Sequence, residues 1–202
     1  MIRPTVRLRT VLMLVALLGA LFSILGQRVR ETQREATAAE RIRRSGGLIV
    51  SANVRNGSLN TLVDGVLPGT YNRSVVGVFF SARQGGQEIG LSPKRKLAIR
   101  AEARRDINDH VIRDIGSSLE EFRHLARLSL RDTQITDEGL RLIRLPDSVW
   151  FLDLGNTRLS DESIAFLSEL SHLQVLRIDG TSITRSQVAR LERKLPGCKV
   201  FY

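Results

Sequence analysis

From Leu125 to Leu191 the apolar positions recur at a constant interval. Leu128, Leu152 and Leu176 are 24 residues apart, and so are Leu130, Leu154 and Ile178. The same offset joins Leu125 to Val149 and Leu173, Ile135 to Leu159 and Ile183, Leu140 to Ile164 and Val188, and Ile143 to Leu167 and Leu191. Leu-x-Leu alternation predicts a short strand with one face turned inward, because strand side chains point to opposite sides in turn. The later apolar pair, spaced by three, predicts a helix facing the same interior. A single block of this kind cannot bury its own apolar side, so the blocks must stack.

The polar columns fit the same unit. Thr133, Thr157 and Thr181 share the 24-residue offset and stand where the chain leaves each strand, placing a hydroxyl beside turning backbone. Thr136-Asp137, Ser160-Asp161 and Thr184 are N-cap candidates, since short side-chain oxygens accept the first free N–H groups of a helix. The pattern extends in both directions. Ile107-Asn108-Asp109, Ile112 and Ile115 repeat the intervals at an offset of 28, so four residues are inserted around 116–121. The strand of that block is expected within 97–102. Val75, Val78 and Phe80 mark a first, degenerate strand, and adding 24 to Leu176 and Ile178 gives Val200 and Tyr202 in a closing strand from Cys198. Leu48 to Val54 reads as another strand, Leu59 to Leu67 as a short helix, and Gln84 to Lys96 as a solvated loop.

The opening of the chain follows a different pattern. Thr10 to Gln27 is eighteen residues without a charge, between Arg9 and Arg28. At 1.5 Å per residue such a helix reaches about 27 Å, near the thickness of a bilayer's hydrocarbon core. Residues 10–27 are therefore expected to form an uncleaved transmembrane anchor, with a cleaved signal peptide and then a buried soluble helix as the alternatives. The signal peptide has the poorest exit, because Ile24 stands where a small residue is wanted. The basic tail 1–9 favours a cytoplasmic N-terminus and a repeat domain on the far side. Residues 28–47 form a charged helical stalk rich in Arg and Ala, its arginines either solvated or drawn to lipid headgroups, ended at Ser45-Gly46-Gly47. An irregular α/β part, 48–106, precedes the repeats, 107–202.

Composition sharpens this outline. The chain has 202 residues, 42% hydrophobic, enough for one domain and an appendage. Residues 1–44 hold nine Arg against three Glu, so most of the formal charge of +10 flanks the apolar helix. A nucleic-acid groove is therefore not expected. The only cysteine, Cys198, excludes an intrachain disulfide and a multi-Cys metal site, and reads as a packed thiol.

The run L-x-x-L-x-L-x-x-T-x-I-T-D-x-G-L from Leu125 to Leu140 resembles the cysteine-containing subtype of leucine-rich repeat known from F-box receptor proteins. The layout, with its Arg-flanked helix, Gly-Gly stop and closing Leu195-Pro196-Gly197-Cys198, is similar to membrane-anchored bacterial proteins with a few such repeats. The resemblance implies an α/β solenoid with parallel strands on a concave face and helices behind, binding a protein or peptide through the strands. By alternation that face carries Arg127, Ser129 and Arg131, then Phe151, Asp153 and Gly155, then Val175, Arg177 and Asp179. A solvated sheet face is the competing reading, and a structural envelope or membrane-organising role is the alternative function. Catalysis is not expected: His110, His124 and His172 fall in separate blocks, and no nucleophile or phosphate loop accompanies them. Asp153 and Asp179, neighbours on one face, could share a proton or a cation. No metal and no cofactor is expected.

Overall fold

The computed structural model describes residues 8–53, 73–80, 83–84, 87–88 and 107–202. Helix α1 spans Leu8–Arg44 without a break. It ends as expected at the glycines: Gly46 adopts φ 88°, and the N–H groups of Gly46 and Gly47 donate to the carbonyls of Arg43 and Ile42 at 3.0 and 2.8 Å. Strands β1 (Leu48–Asn53) and β2 (Arg73–Phe79) follow, then a small pair, β3 (Arg83–Gln84) and β4 (Gln87–Glu88). The repeat region holds α2 (Asp109–Ile115), β5 (Arg127–Ser129), α3 (Asp137–Arg141), β6 (Phe151–Asp153), α4 (Ile164–Leu167), β7 (Val175–Arg177), α5 (Arg185–Lys194) and β8 (Lys199–Phe201). Single 3-10 stretches occupy Gly116–Glu121, where the insertion was expected, and Asp161–Ser163.

Among the described residues the main sheet has six strands in the order β1-β2-β5-β6-β7-β8. Strand β1 is antiparallel to β2, and every later neighbour is parallel. From β5 onward the register equals the sequence period: Leu128 faces Leu152, Leu152 faces Leu176, and Leu176 faces Val200. These leucines are fully buried and join Leu140, Ile164 and Leu191 from the helices in one core.

Three polar columns tie successive units together. Thr133, Thr157 and Thr181 donate to the carbonyls of Leu130, Leu154 and Ile178 at 2.6, 2.6 and 2.7 Å, as their position suggested. Asp109, Asp137 and Asp161 do more than begin helices. Each carboxylate accepts both the backbone N–H and the hydroxyl of the next unit's cap residue, Thr136, Ser160 and Thr184. Thr136 and Ser160 in turn cap their own helices by accepting from Glu138 and Glu162. Asp132, Asn156 and Gly180 form the third column, all left-handed at φ 60°, 53° and 73°. Asn, Asp and Gly are the residues that accept this conformation.

Several expectations change. Because β2 pairs directly with β5, no strand stands between them, and the unit of α2 has β2 as its neighbouring strand. Residues 97–102 lie outside the described residues, as do the helix expected over 59–67 and most of the loop expected over 84–96. Thr184 makes no cap bond; its hydroxyl meets Asp161 and Ser186 instead. Tyr202, expected inward, is 62% exposed.

The stalk is also different. Its last turns dock on the domain, burying Ala38, Ala39 and Ile42 in the common core. Glu31, Glu35, Ala38 and Ile42 recur at helical spacing, so they share a face. On it Glu31 ion-pairs with Arg123 at 2.7 Å. Burial pushes the Glu35 carboxyl up from 4.5 to about 7, with Arg123 opposing the rise and Glu31 adding to it.

A raised carboxyl pKa means that the folded chain holds this proton more tightly than the unfolded chain. Stability from this group is full below 4.5 and is lost as pH rises to about 7. Glu35→Gln, which keeps the neutral shape, is expected to raise the melting temperature above wild type at pH above about 7 and to match it near 4.5. Superimposable melting-temperature profiles for the two proteins would contradict this docking.

The cross-unit carboxylates make a second prediction. Asp137→Ala strands the Ser160 N–H and hydroxyl and is expected to cost about 1 to 3 kcal/mol in denaturant unfolding. A loss within the error of an exposed Asp147→Ala control would show that the column carries no weight.

Candidate functional site

The outer face of the sheet, opposite the helices, is built in rows that cross the strands. The parallel register sets Arg127, Phe151, Val175 and Lys199 in one row, and Ser129, Asp153, Arg177 and Phe201 in the next. Six of the eight expected residues thus stand in these two rows, and Arg131 and Asp179 stand in a third. They are not equally accessible. Ser129 and Asp153 are fully buried, Arg131 and Phe151 nearly so, and Arg127, Val175, Arg177 and Asp179 are half-buried. Phe79, beside Ser129 in the register, and Phe151 are buried outside the main core, which gives this face an apolar floor of its own.

Cations lie over that floor and its rim. The Arg127 guanidinium sits 4.6 Å from the Phe151 ring centroid and 5.6 Å from that of Trp150. Burial lowers its pKa from the ordinary value. Arg177 and Lys199 each stand 4.9 Å from the Phe201 ring. Such contacts attract a cation to the negative face of a ring. Trp150, Lys199 and Phe201 were not among the expected residues, although adding 24 to Val175 and Arg177 points to the last two.

A third row contains Arg131, Gly155 and Asp179. Arg131 reaches across Gly155 and donates from Nη1 and Nη2 to the two carboxylate oxygens of Asp179, at 3.0 and 2.6 Å. Its Nη1 also lies 3.4 Å from Asp153 Oδ1, which accepts the Gly155 N–H at 3.0 Å. A Cβ at Gly155 would fall on the guanidinium, so only glycine leaves the crossing open. The hydrogen bond from Arg131 holds the Asp179 carboxyl below its ordinary value against the opposing effect of burial, with the charges of Arg131 and Arg177 adding to the depression. Asp153 and Asp179 are therefore bridged by a cation of the chain itself, and the dicarboxylate reading gives way to a salt-bridge clamp. Among the described residues no three His, Cys, Asp or Glu side chains gather as a metal site would require.

No protein-family model matches the chain, and a search of curated proteins finds no match. Among solved structures it is similar to a leucine-rich repeat protein of Leptospira interrogans. The likeness has 24% identity and a TM-score of 0.29, and it covers 42% of this chain and 27% of that one. The shared stretch is thus about a quarter of that protein's length.

Elsewhere, Cys198 is half-buried against the core, and burial raises its thiol pKa, which suits a packed side chain.

Gly155→Ala is expected to push Arg131 off Asp179 and cost about 1 to 3 kcal/mol in chemical denaturation. Adding Arg131→Met to Gly155→Ala should recover nothing, because fully buried Asp153 is then left without its cation. Full stability in the single variant would refute the clamp.

Proposed function

We propose that this chain is a membrane-tethered leucine-rich repeat solenoid that binds a protein or peptide through the outer face of its sheet. The observation carrying the reading is the pair of in-register rows on that face, where half-buried Arg127 lies over the buried Phe151 ring and half-buried Arg177 and exposed Lys199 lie over the half-buried Phe201 ring, with Val175 beside them. Arginine and aromatic side chains are the residue types enriched where partners contribute most binding energy. Their rotamers here are already restrained by stacking and by the Arg131 clamp, which reduces the ordering cost of association. The sequence period supports the solenoid, since the strand-to-strand register repeats the 24-residue interval.

The tether reading rests on α1. None of its apolar window is buried by the rest of the chain, and Met13, Leu17 and Phe22 are 70, 67 and 74% exposed. Side chains of this kind in water are costly, at roughly 25 cal/mol per Å² of apolar surface. This favours a bilayer over a soluble core helix. The basic tail favours a repeat domain outside the cytoplasm.

The test is affinity capture with the full chain in detergent, run beside the variant Arg127→Glu/Arg177→Glu/Lys199→Glu. A partner present at defined stoichiometry with wild type and depleted at least about tenfold with the variant, equal to about 1.4 kcal/mol, supports the reading. Partners that are indifferent to the three substitutions would leave the structural envelope role in its place.

A further inference from the structure

Below the docked turns of α1, the helix and the 3-10 stretch Gly116–Glu121 flank an open cleft of about 280 Å³ lined by exposed Arg30, Gln33, Arg34, Thr37, Arg41 and Glu121. Three of these side chains are cationic and one is acidic. Arg30, Arg34 and Arg41 recur at intervals of four and seven, so the helix aims all three to the same side. None of the three takes part in an ion pair among the described residues, whereas Glu31 on the adjoining stripe is occupied by Arg123. Like charges gathered in a cleft repel one another, and an anion seated among them reverses the sign of that interaction.

The position of the cleft selects the anion. Arg30 follows Gln27, the last residue of the apolar stretch, by about 4.5 Å along the axis, and Arg34 by about 10 Å. Helical side chains lean toward the N-terminus. The Arg30 guanidinium accordingly reaches back to 4.0 Å from the point where a Cβ on Gly26 would stand. A headgroup layer is about 5 to 8 Å thick on each side of the hydrocarbon, so the Arg30 guanidinium stands at its inner edge and Arg34, rooted just past its outer edge, has the reach to lean back into it.

We propose that this cleft binds the headgroup phosphate of an anionic phospholipid, with Arg30 and Arg34 holding the phosphate and Arg41 forming the far wall. The inference rests on the tether reading and goes beyond it, because it assigns a stoichiometric lipid site in place of diffuse attraction. Arginine suits the role, since its planar fork meets two phosphate oxygens at once.

The experiment uses the full chain in detergent, loaded from mixed micelles of phosphatidylglycerol and phosphatidylcholine, with retained lipid counted by native mass spectrometry. Wild type is expected to keep phosphatidylglycerol in preference to phosphatidylcholine. Arg30→Gln/Arg34→Gln should lose that retention by roughly fivefold per arginine removed, while Arg190→Gln/Arg193→Gln on α5 should keep it. Equal retention by the two double variants, or no preference between the lipids, overturns the proposal. So does displacement of the bound lipid by inorganic phosphate at matched concentration, which would make the cleft a free-anion site. Flotation with vesicles separates the two levels of argument: a chain that does not float removes the tether and this site together, and one that floats without selective retention removes the site alone.

Discussion

The rest of the structure depends on lateral burial between units of equal length. Leu128, Leu152 and Leu176 reach zero exposure only because each strand is flanked by another in the same register, with the helices of successive units closing the core behind them. A unit of 24 residues is too small to dehydrate its own leucines, so each depends on its neighbours, and an extra residue within a strand would turn its later positions to the opposite face. The polar columns serve this constraint. Left-handed backbone at Asp132, Asn156 and Gly180 makes the exit from each strand superimposable on the last. The aspartates at 109, 137 and 161 then fix the start of each following helix from the unit before it.

The same regularity explains how an outer face with buried charge is tolerated. Asp153 has no exposure, yet its carboxylate meets the Gly155 N–H and the Arg131 guanidinium, and that guanidinium also satisfies Asp179. An arginine spanning three strands is possible only because the middle position of the row has no side chain. Removing one partner of such a network leaves an uncompensated charge in a poorly hydrated place, so the three positions behave as one group. The half-buried cations at the rim differ, since they stack on rings and keep an edge toward solvent.

The strands, their register and the inward leucines were legible because a period of 24 appears in residue identity as well as in polarity. The threonine column was legible for the same reason. The long reach of the aspartates was not, since an Asp at a helix start already has a sufficient local role and its partner lies 23 or 27 residues onward. The clamp was not legible because Arg131 and Asp179 are 48 residues apart, with only the glycine between opposite charges in one column to mark it. The docking of α1 was obscured by alanine. Ala38 and Ala39 read as helix propensity, although their small size is also what lets the helix lie close against its neighbours.

Helix α1 enters the core with no joint. Ile42 is fully enclosed and the chain turns into β1 four residues after Arg44, so nothing between the apolar half and the sheet can swivel. From Ala38 back to Leu8 the helix forms a rigid arm of about 45 Å. Whatever sets the angle of its far end also sets the direction in which the row of Arg127, Phe151 and Val175 looks, which makes the orientation of the sheet a mechanical property of the arm.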